Sequence, residues 1–366
     1  MKAALVERYN KNNISLNIRD VNKPFVGEND LLVKVSAAGV NPLDNMITRG
    51  EVKMIVPYKL PVIAGNEIVG IVEETGSHVN NFKKGDRIFA RLPLDRIGAF
   101  AEYTAVNENA VAKVPDYLTD IEAAAMPLTS LTIMQSLDLM HAESGKTIFI
   151  SGGTGSLGAM AIPIAKAKGL KVITNGSAGN RERVLELGAS EFIDYKKEDY
   201  TKVLSDIDYV LDTLGGNETE KQMTIMKKNG KMVSLRAMPN GSFARRMGLP
   251  KWKQIIFGLV GRKYDKMAKK YRVSYDFVFV TSDGKQLREA ADIFERLKIK
   301  PSIDTVFSFT NFLSSSLYAI YSSRFVSYSL TVSSSGLIIT VPSIPSKAII
   351  SPSLTSSVIV LQATTA

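Results

Sequence analysis

Gly153-Thr154-Gly155-Ser156-Leu157-Gly158 is the run in this chain whose residue types and spacing could do recognisable chemistry. Glycines at its first, third and sixth positions suit a turn that presents backbone N–H groups to a pyrophosphate. The first permits a tight turn, the second lets backbone come close, and the third allows close helix–strand packing. The phosphates would rest on the N-terminus of the following helix, where unpaired N–H groups and the helix dipole favour negative charge. The motif carries weight only in the right setting, and the setting is present. An apolar, β-prone run (Thr147 to Ile150) leads in, a helical pattern (Ala159 to Lys168) leads out, and a second strand-like run (Lys171 to Thr174) follows. Lys146 to Arg181 therefore predicts a dinucleotide site.

The residues after the second strand choose between dinucleotides. An NAD site wants Asp or Glu about twenty residues past the turn, to accept from a ribose hydroxyl. Here Thr174-Asn175-Gly176-Ser177-Ala178-Gly179-Asn180-Arg181 holds no acid before Glu182. Asn175, Ser177 and Arg181 supply the donors and positive charge that a 2′-phosphate needs, so NADP(H) is the expected cofactor. The plainer reading of Arg181 is that it opens the next helix with its side chain in water.

The elements that must position these residues follow from periodicity. Between Lys146 and about Pro301, strand-like runs at 147–150, 171–174, 191–194, 208–211, 231–235 and 276–280 alternate with helical stretches near 157–168, 181–187, 217–227 and 284–297. Such alternation predicts an α/β domain with a doubly wound parallel sheet. Residues 1 to about 115 read instead as an all-β module, with strands such as Leu31–Ser36, Ile68–Glu73, Arg87–Ala90 and Tyr103–Val106 separated by glycine turns. Asp116 to about Leu139 turns helical.

Composition narrows the function classes. A chain of 366 residues is expected to form two domains, and 45% hydrophobic with 22% charged residues is ordinary for globular protein. With no cysteine, disulfides, thiolate metal ligands and a Cys nucleophile are excluded. The start, MKAALVERYNKNN, is not signal-like, and no apolar run reaches the roughly 20 residues of a membrane span, so the expected compartment is the cytoplasm. Net charge is +10, concentrated partly in 245–272, where Trp252, Ile255, Ile256, Leu259 and Val260 recur at helical spacing among lysines and arginines. The favoured reading is a helical pair whose apolar face covers the active site while its basic face is solvated. A membrane-surface or polyanion-binding helix is the alternative. No aromatic-interleaved basic pattern suggests nucleic acid.

Several runs, in order, resemble one family. They are GVNPLDNMITRG (39–50), LPVIAGNEIVGIVEETG (60–76), KKGDRIFA (83–90), GAFAEYTAV (98–106), AAAMPLTSLTIMQSL (123–137), the glycine turn, LDTLGG (211–216) and YDFVFVTSDGKQL (275–287). Over 1–309 the chain resembles a zinc-free medium-chain dehydrogenase/reductase of the quinone oxidoreductase type. That resemblance implies a GroES-like substrate domain (1–118), a Rossmann NADP-binding domain (119–301) and a short return segment (302–309). Zinc-dependent relatives place a metal-binding Cys where this chain has Asn41, and a His where it has Asn66. With only His78 and His141 available, three catalytic zinc ligands are not expected to assemble.

The activity so implied is zinc-independent hydride transfer from NADPH to a quinone or an α,β-unsaturated carbonyl compound. Its rivals are aldehyde or ketone reduction, and a non-catalytic NADPH-binding or damaged chain. The resemblance places Asn41 and Asp44 beside the nicotinamide, with Asn41 a donor to the substrate carbonyl or a simple turn residue. Thr129 would hold the nicotinamide end, and Leu214, Gly215 and Leu235 would edge the ribose and nicotinamide. The proton donor is solvent or a tyrosine, with Tyr58 the candidate and simple packing its plainer role. Phe279 is a further cofactor candidate, or, with Phe277, part of the core or of an edge strand pairing two subunits. A homodimer is implied. After Phe309 the resemblance stops: residues 310–366 hold 16 serines and no acids, and are expected to supply neither the closing helix nor the returning strand of the family. Out-of-frame or otherwise unselected sequence is the hypothesis for this tail.

Overall fold

A computed structural model describes residues 1–11, 16–307, 309, 328–331 and 358–362. In chain order the first elements are β1 (Lys2–Val6), β2 (Asn17–Asp20), β3 (Asp30–Val40), α1 (Pro42–Arg49), β4 (Val62–Ile63), β5 (Glu67–Thr75), β6 (Arg87–Arg91), β7 (Tyr103–Asn107), β8 (Val111–Lys113), α2 (Asp120–Ala124) and α3 (Pro127–Leu139). An alternating series follows: β9 (Thr147–Ile150), α4 (Ser156–Ala167), β10 (Lys171–Gly176), α5 (Arg181–Glu186), β11 (Glu191–Asp194), α6 (Tyr200–Val203), β12 (Ile207–Asp212), α7 (Asn217–Thr224) and β13 (Met226–Ser234). The remainder is α8 (Gly241–Arg246), α9 (Lys251–Tyr271), β14 (Ser274–Phe277), α10 (Gly284–Leu297), β15 (Ile303–Phe307), β16 (Tyr328–Thr331) and β17 (Val358–Gln362).

The chain forms two compact units, Met1–Leu131 with the described residues from Thr281 onward, and Thr132–Val280. In the first, β3, β5, β6, β7 and β8 pair antiparallel, and Leu31, Val33 and Val35 of β3 alternate inward onto a core with Ile68, Ile88 and Phe309. The helix α10 returns to this unit: Asp283 caps it by accepting from Gln286 N at 3.0 Å, and Arg288 Nη1 donates to Val111 O of β8 at 3.2 Å.

The first unit differs from the all-β module and from the strandless tail that the sequence predicts. The module is not all β, because α1 interrupts it. Pro42 suits the first helical position, and the Asp44 carboxylate accepts from Asn41 N at 2.7 Å, so a short helix forms where a turn was expected. The tail also supplies strands. β16 pairs with β3 across 37–40, and β17 pairs with β15 across 303–307. Their uncharged, β-prone residues meet unpaired strand edges, which is the condition for strand addition. The rest of the tail lies outside the described residues.

The second unit is the doubly wound sheet. Six strands, all parallel, run in the order β11-β10-β9-β12-β13-β14, with Phe149, Ile173, Val210 and Met232 in its core. After β11 the chain crosses back to pair β12 with β9. The β9/β12 junction is therefore the topological switch point, where the C-terminal strand ends of such sheets bind ligands.

Candidate active site

At that switch point two turns are stitched together. Thr213 N donates to Ser151 Oγ at 2.9 Å, and Thr213 Oγ1 donates to Ser151 O at 2.6 Å. Asp212, fully buried at the end of β12, accepts from Gly215 N (2.8 Å), Thr219 Oγ1 (2.7 Å), Gln222 Nε2 (3.0 Å) and Ser234 Oγ (2.8 Å). One carboxylate thus locks β12, α7 and β13 around the turn that carries Leu214 and Gly215. Leu214 is exposed at its tip, and Leu235 N donates to Asp212 O at 3.0 Å.

The glycine turn divides its labour differently from the sequence expectation. The tight turn belongs to Gly152, whose φ of 67° favours glycine. Gly153 instead permits a close approach, since a Cβ there would fall 2.0 Å from Thr174 Oγ1. At Gly158 a Cβ would sit 2.4 Å from Gly153 Cα, so this residue lets α4 close onto the turn. Gly155 alone faces space: its Cβ would meet only Gly152 O, at 3.4 Å. Gly155 is also the N-cap of α4 and offers no side-chain cap, so no side chain occupies the place at the helix N-terminus that suits an anion. This cradle fits a dinucleotide pyrophosphate.

Around it, Thr154 is buried with its methyl against Gly176, and Asn175 Oδ1 accepts from Gly152 N at 2.8 Å. Asn175 therefore holds the turn's shape with the oxygen that could otherwise have met a ribose. Ser177 lies just past β10 and accepts from Asn180 Nδ2 at 3.3 Å. Arg181 opens α5, exposed and in no ion pair among the described residues. Phe279 stacks edge-on against Phe243, with ring centroids 6.5 Å apart, in an aromatic cluster with Phe277 and Phe257.

In the first unit, the structure joins Asn41 and Asp44 to residues that sequence reasoning gave no role. Asn41 Nδ2 donates to Glu67 Oε1 at 2.6 Å, and the other Glu67 oxygen accepts from Leu128 N at the start of α3, at 2.7 Å. Gly39 makes room for this carboxyl, because a Cβ there would lie 2.1 Å from Glu67 Oε1. Asn66 Nδ2 donates to Asp44 Oδ1 at 2.6 Å. Arg91, wholly buried, places its charge within reach of Asp44, Glu67 and Tyr58, while its Nε and Nη2 find no hydrogen-bond partner among the described residues. The Tyr58 hydroxyl is likewise buried without a partner. Thr129 is buried one residue beyond Leu128.

Burial dominates the electrostatics of this cluster. It pushes the Asp44 carboxyl up to about 6 and the Glu67 carboxyl up to about 8, against the opposing pull of their hydrogen bonds and of Arg91. It also raises the Tyr58 hydroxyl to about 12 and lowers the Arg91 guanidinium to about 10. Near neutral pH, Tyr58 keeps its proton and Arg91 its charge.

The donor set does not fit a tetrahedral zinc. Cysteine is absent, and Asn41 and Asn66 are spent on carboxylates. His78 sits in an exposed turn with Nδ1 3.4 Å from Glu28, and His141 is exposed at a left-handed turn position (φ 46°). Among the described residues no three His, Cys, Asp or Glu side chains could hold a metal.

Two family models match the chain: the alcohol dehydrogenase GroES-like domain over 27–116 and the zinc-binding dehydrogenase over 187–314. Across the chain, 31% of 333 residues are identical to the zebrafish (Danio rerio) mitochondrial NAD(P)H oxidoreductase RTN4IP1, covering 84% of this chain and 85% of that protein. The chain belongs to the medium-chain dehydrogenase/reductase superfamily. Within it the chain is quinone-oxidoreductase-like, and so an NAD(P)-dependent oxidoreductase. The tomato (Solanum lycopersicum) 2-methylene-furan-3-one reductase is 32% identical over 77% of this chain and 66% of that protein. The solved quinone oxidoreductase of Coxiella burnetii superposes with a TM-score of 0.70 at 25% identity, over 88% of this chain and 96% of that one.

Proposed function

We propose that this chain is a zinc-independent, NADPH-dependent reductase of quinones or α,β-unsaturated carbonyl compounds. The observation that carries the reading is Asn41, which stands where zinc-dependent relatives bind metal and whose amide is fixed by the Glu67 carboxyl. An amide nitrogen has two hydrogens. One is committed to Glu67 and fixes the orientation; the other is the donor for the acceptor's carbonyl oxygen as negative charge develops there. Tyr58, protonated and without a partner among the described residues, holds the proton that this oxygen, or the carbon α to the carbonyl, takes up. Asp44 and Asn66 are positioning residues, and the buried charge of Arg91 favours an anionic oxygen nearby.

When bound, the reduced nicotinamide supplies a hydride to the electrophilic carbon of the acceptor. Gly155 and the α4 N-terminus bind the pyrophosphate, Ser177 and Arg181 the 2′-phosphate, and Leu214 and Leu235 the nicotinamide half. The free guanidinium of Arg181 supports NADPH over NADH. The name of the tomato relative supports an enone acceptor, and the Coxiella structure's title a quinone. β14, the edge strand of the six-stranded sheet, is the surface on which we expect a second copy to pair.

Fluorescence titration with NADPH beside NADH, followed by NADPH oxidation on a quinone and an enone panel, tests this. Selective binding with turnover is expected; binding without turnover on every acceptor would reduce the chain to an NADPH-binding protein.

A further inference from the structure

The basic, apolar segment 245–272 does not do what its sequence suggested. Its long helix α9 turns a different face inward. Phe257, Gly261, Tyr264 and Ala268 are the buried side, and a Cβ on Gly261 would lie 2.5 Å from Asn240 Cα, so the helix sits hard against the start of α8. Asn240 Nδ2 also donates to Asp265 Oδ1 at 2.7 Å, fixing the rotation. Trp252, Ile255, Ile256, Leu259 and Val260 consequently face solvent, with Ile255 and Leu259 each 65% exposed and Trp252 55%. The expectation that they cover the active site is overturned because α9 carries two apolar stripes, and the inner one meets the sheet.

The outer stripe changes character along its length. At 100° per residue, Trp252, Ile255, Ile256 and Leu259 share a line with Lys263, Lys266 and Lys270. The first three turns are apolar and the last three basic. Lys270 is held by Glu220 at 3.0 Å, whereas Lys263 and Lys266 are exposed and form no ion pair among the described residues. Over 245–272 there are ten Lys and Arg against one acid, Asp265, which is already engaged by Asn240.

We propose that this stripe docks the second unit onto an anionic lipid surface, with α9 lying in the plane of the interface. Bulky aliphatic side chains beside a tryptophan suit the headgroup–acyl boundary, and adjacent lysines suit lipid phosphates. No helix among the described residues is long and apolar enough to cross a membrane, consistent with an in-plane rather than a spanning contact. A second copy is a poorer occupant. Pairing this stripe with itself supplies no acid to the lysines in either orientation, whereas anionic lipid supplies both an apolar layer and the counter-charge. This inference stands apart from the proposed reaction.

Trp252 is the only tryptophan in the chain, so the protein reports on itself. The full chain is mixed with vesicles of phosphatidylcholine containing phosphatidylglycerol, and with vesicles of phosphatidylcholine alone. Co-sedimentation and a blue shift of Trp252 emission are expected with the anionic vesicles only, and both should reverse in high salt. The double variant Lys263→Gln/Lys266→Gln should partition about 30-fold more weakly, at about 1 kcal/mol per basic residue near the surface. Leu259→Ser should lose the blue shift. Far-UV dichroism and NADPH affinity, unchanged in these variants, guard against misfolding. Binding to neither vesicle, equal binding to both, or binding indifferent to the lysine substitutions overturns the proposal. So does a blue shift that appears without vesicles and tracks a concentration-dependent doubling of mass, which would assign the stripe to a second copy.

Discussion

Two alanine substitutions three residues apart separate folding from cofactor approach in the glycine turn. At Gly158 the new Cβ would stand 2.4 Å from Gly153 Cα and 2.5 Å from Gly152 O, both backbone atoms, while ordinary contact begins at 3.4 Å. The helix and turn must therefore part by about 1 Å (3.4 minus 2.4). Overpacking of that kind costs about 1–3 kcal/mol, and a displacement of this size in a positioned site is worth about 100-fold in function. Gly158→Ala should lose roughly 2–12 °C in Tm together with NADPH affinity. At Gly155 the φ of −75° is one alanine adopts freely, and the Cβ meets only Gly152 O at 3.4 Å. Stability should hold or rise by about 0.4–1 kcal/mol. The methyl nevertheless occupies the space a phosphate oxygen needs. Loss of one charge-assisted hydrogen bond, about 1.5–3 kcal/mol, weakens NADPH about 10- to 100-fold. Calorimetric melting and fluorescence titration of both variants give the answer. A Gly155→Ala protein that binds NADPH as tightly as the parent refutes the assignment of the α4 N-terminus to the pyrophosphate.

Three further outcomes follow from the site. Tyr58→Phe removes a hydroxyl with no partner among the described residues, so Tm should not fall, while kcat drops about 100-fold or more with KM little changed; an unaltered kcat would hand proton delivery to solvent. Arg181→Ala should cost NADPH about 1–3 kcal/mol of affinity and leave NADH unchanged, measured as the ratio of the two dissociation constants. Glu67 makes stability fall with rising pH. Its folded pKa, about 8, stands above the ordinary 4.5, so the folded chain binds more protons than the unfolded one across that window. Its stabilisation is complete below pH 4.5 and is lost as pH approaches 8, and Asp44 acts the same way between 3.8 and about 6. Urea unfolding of Glu67→Gln should show a flatter pH dependence than the parent between about pH 6 and pH 8; identical slopes would remove Glu67 as the cause.

Much of the second unit was legible in the sequence. Helix α10 runs over Gly284–Leu297, as its periodicity indicated, because Asp283 caps it and Leu287, Ala290 and Phe294 recur on one buried side. The parallel sheet followed from strand–helix alternation alone. What escaped was decided by tertiary contact. β6 is buried on both faces near its end, so no alternation marked Arg91 as an interior charge. Glu67 likewise opens β5 in a fully buried run, and its partners, Asn41 and Leu128, are 26 and 61 residues away. Asn41-Pro42 read as a turn, and only the closing contact with Asp44 makes it a helix start. For α9 the periodicity was right and the face was wrong, since two apolar stripes shared one helix.

The destination of the hydride separates direct transfer from zinc-assisted chemistry. The full chain, treated with a chelator, would be given an enone and NADPH carrying deuterium at the transferable position of its nicotinamide C4. Direct, zinc-independent transfer predicts deuterium on the carbon β to the carbonyl, turnover slowed by the label, and a rate indifferent to the chelator. Turnover that the chelator abolishes and zinc restores, or NADPH consumption with no label in the product, would contradict it.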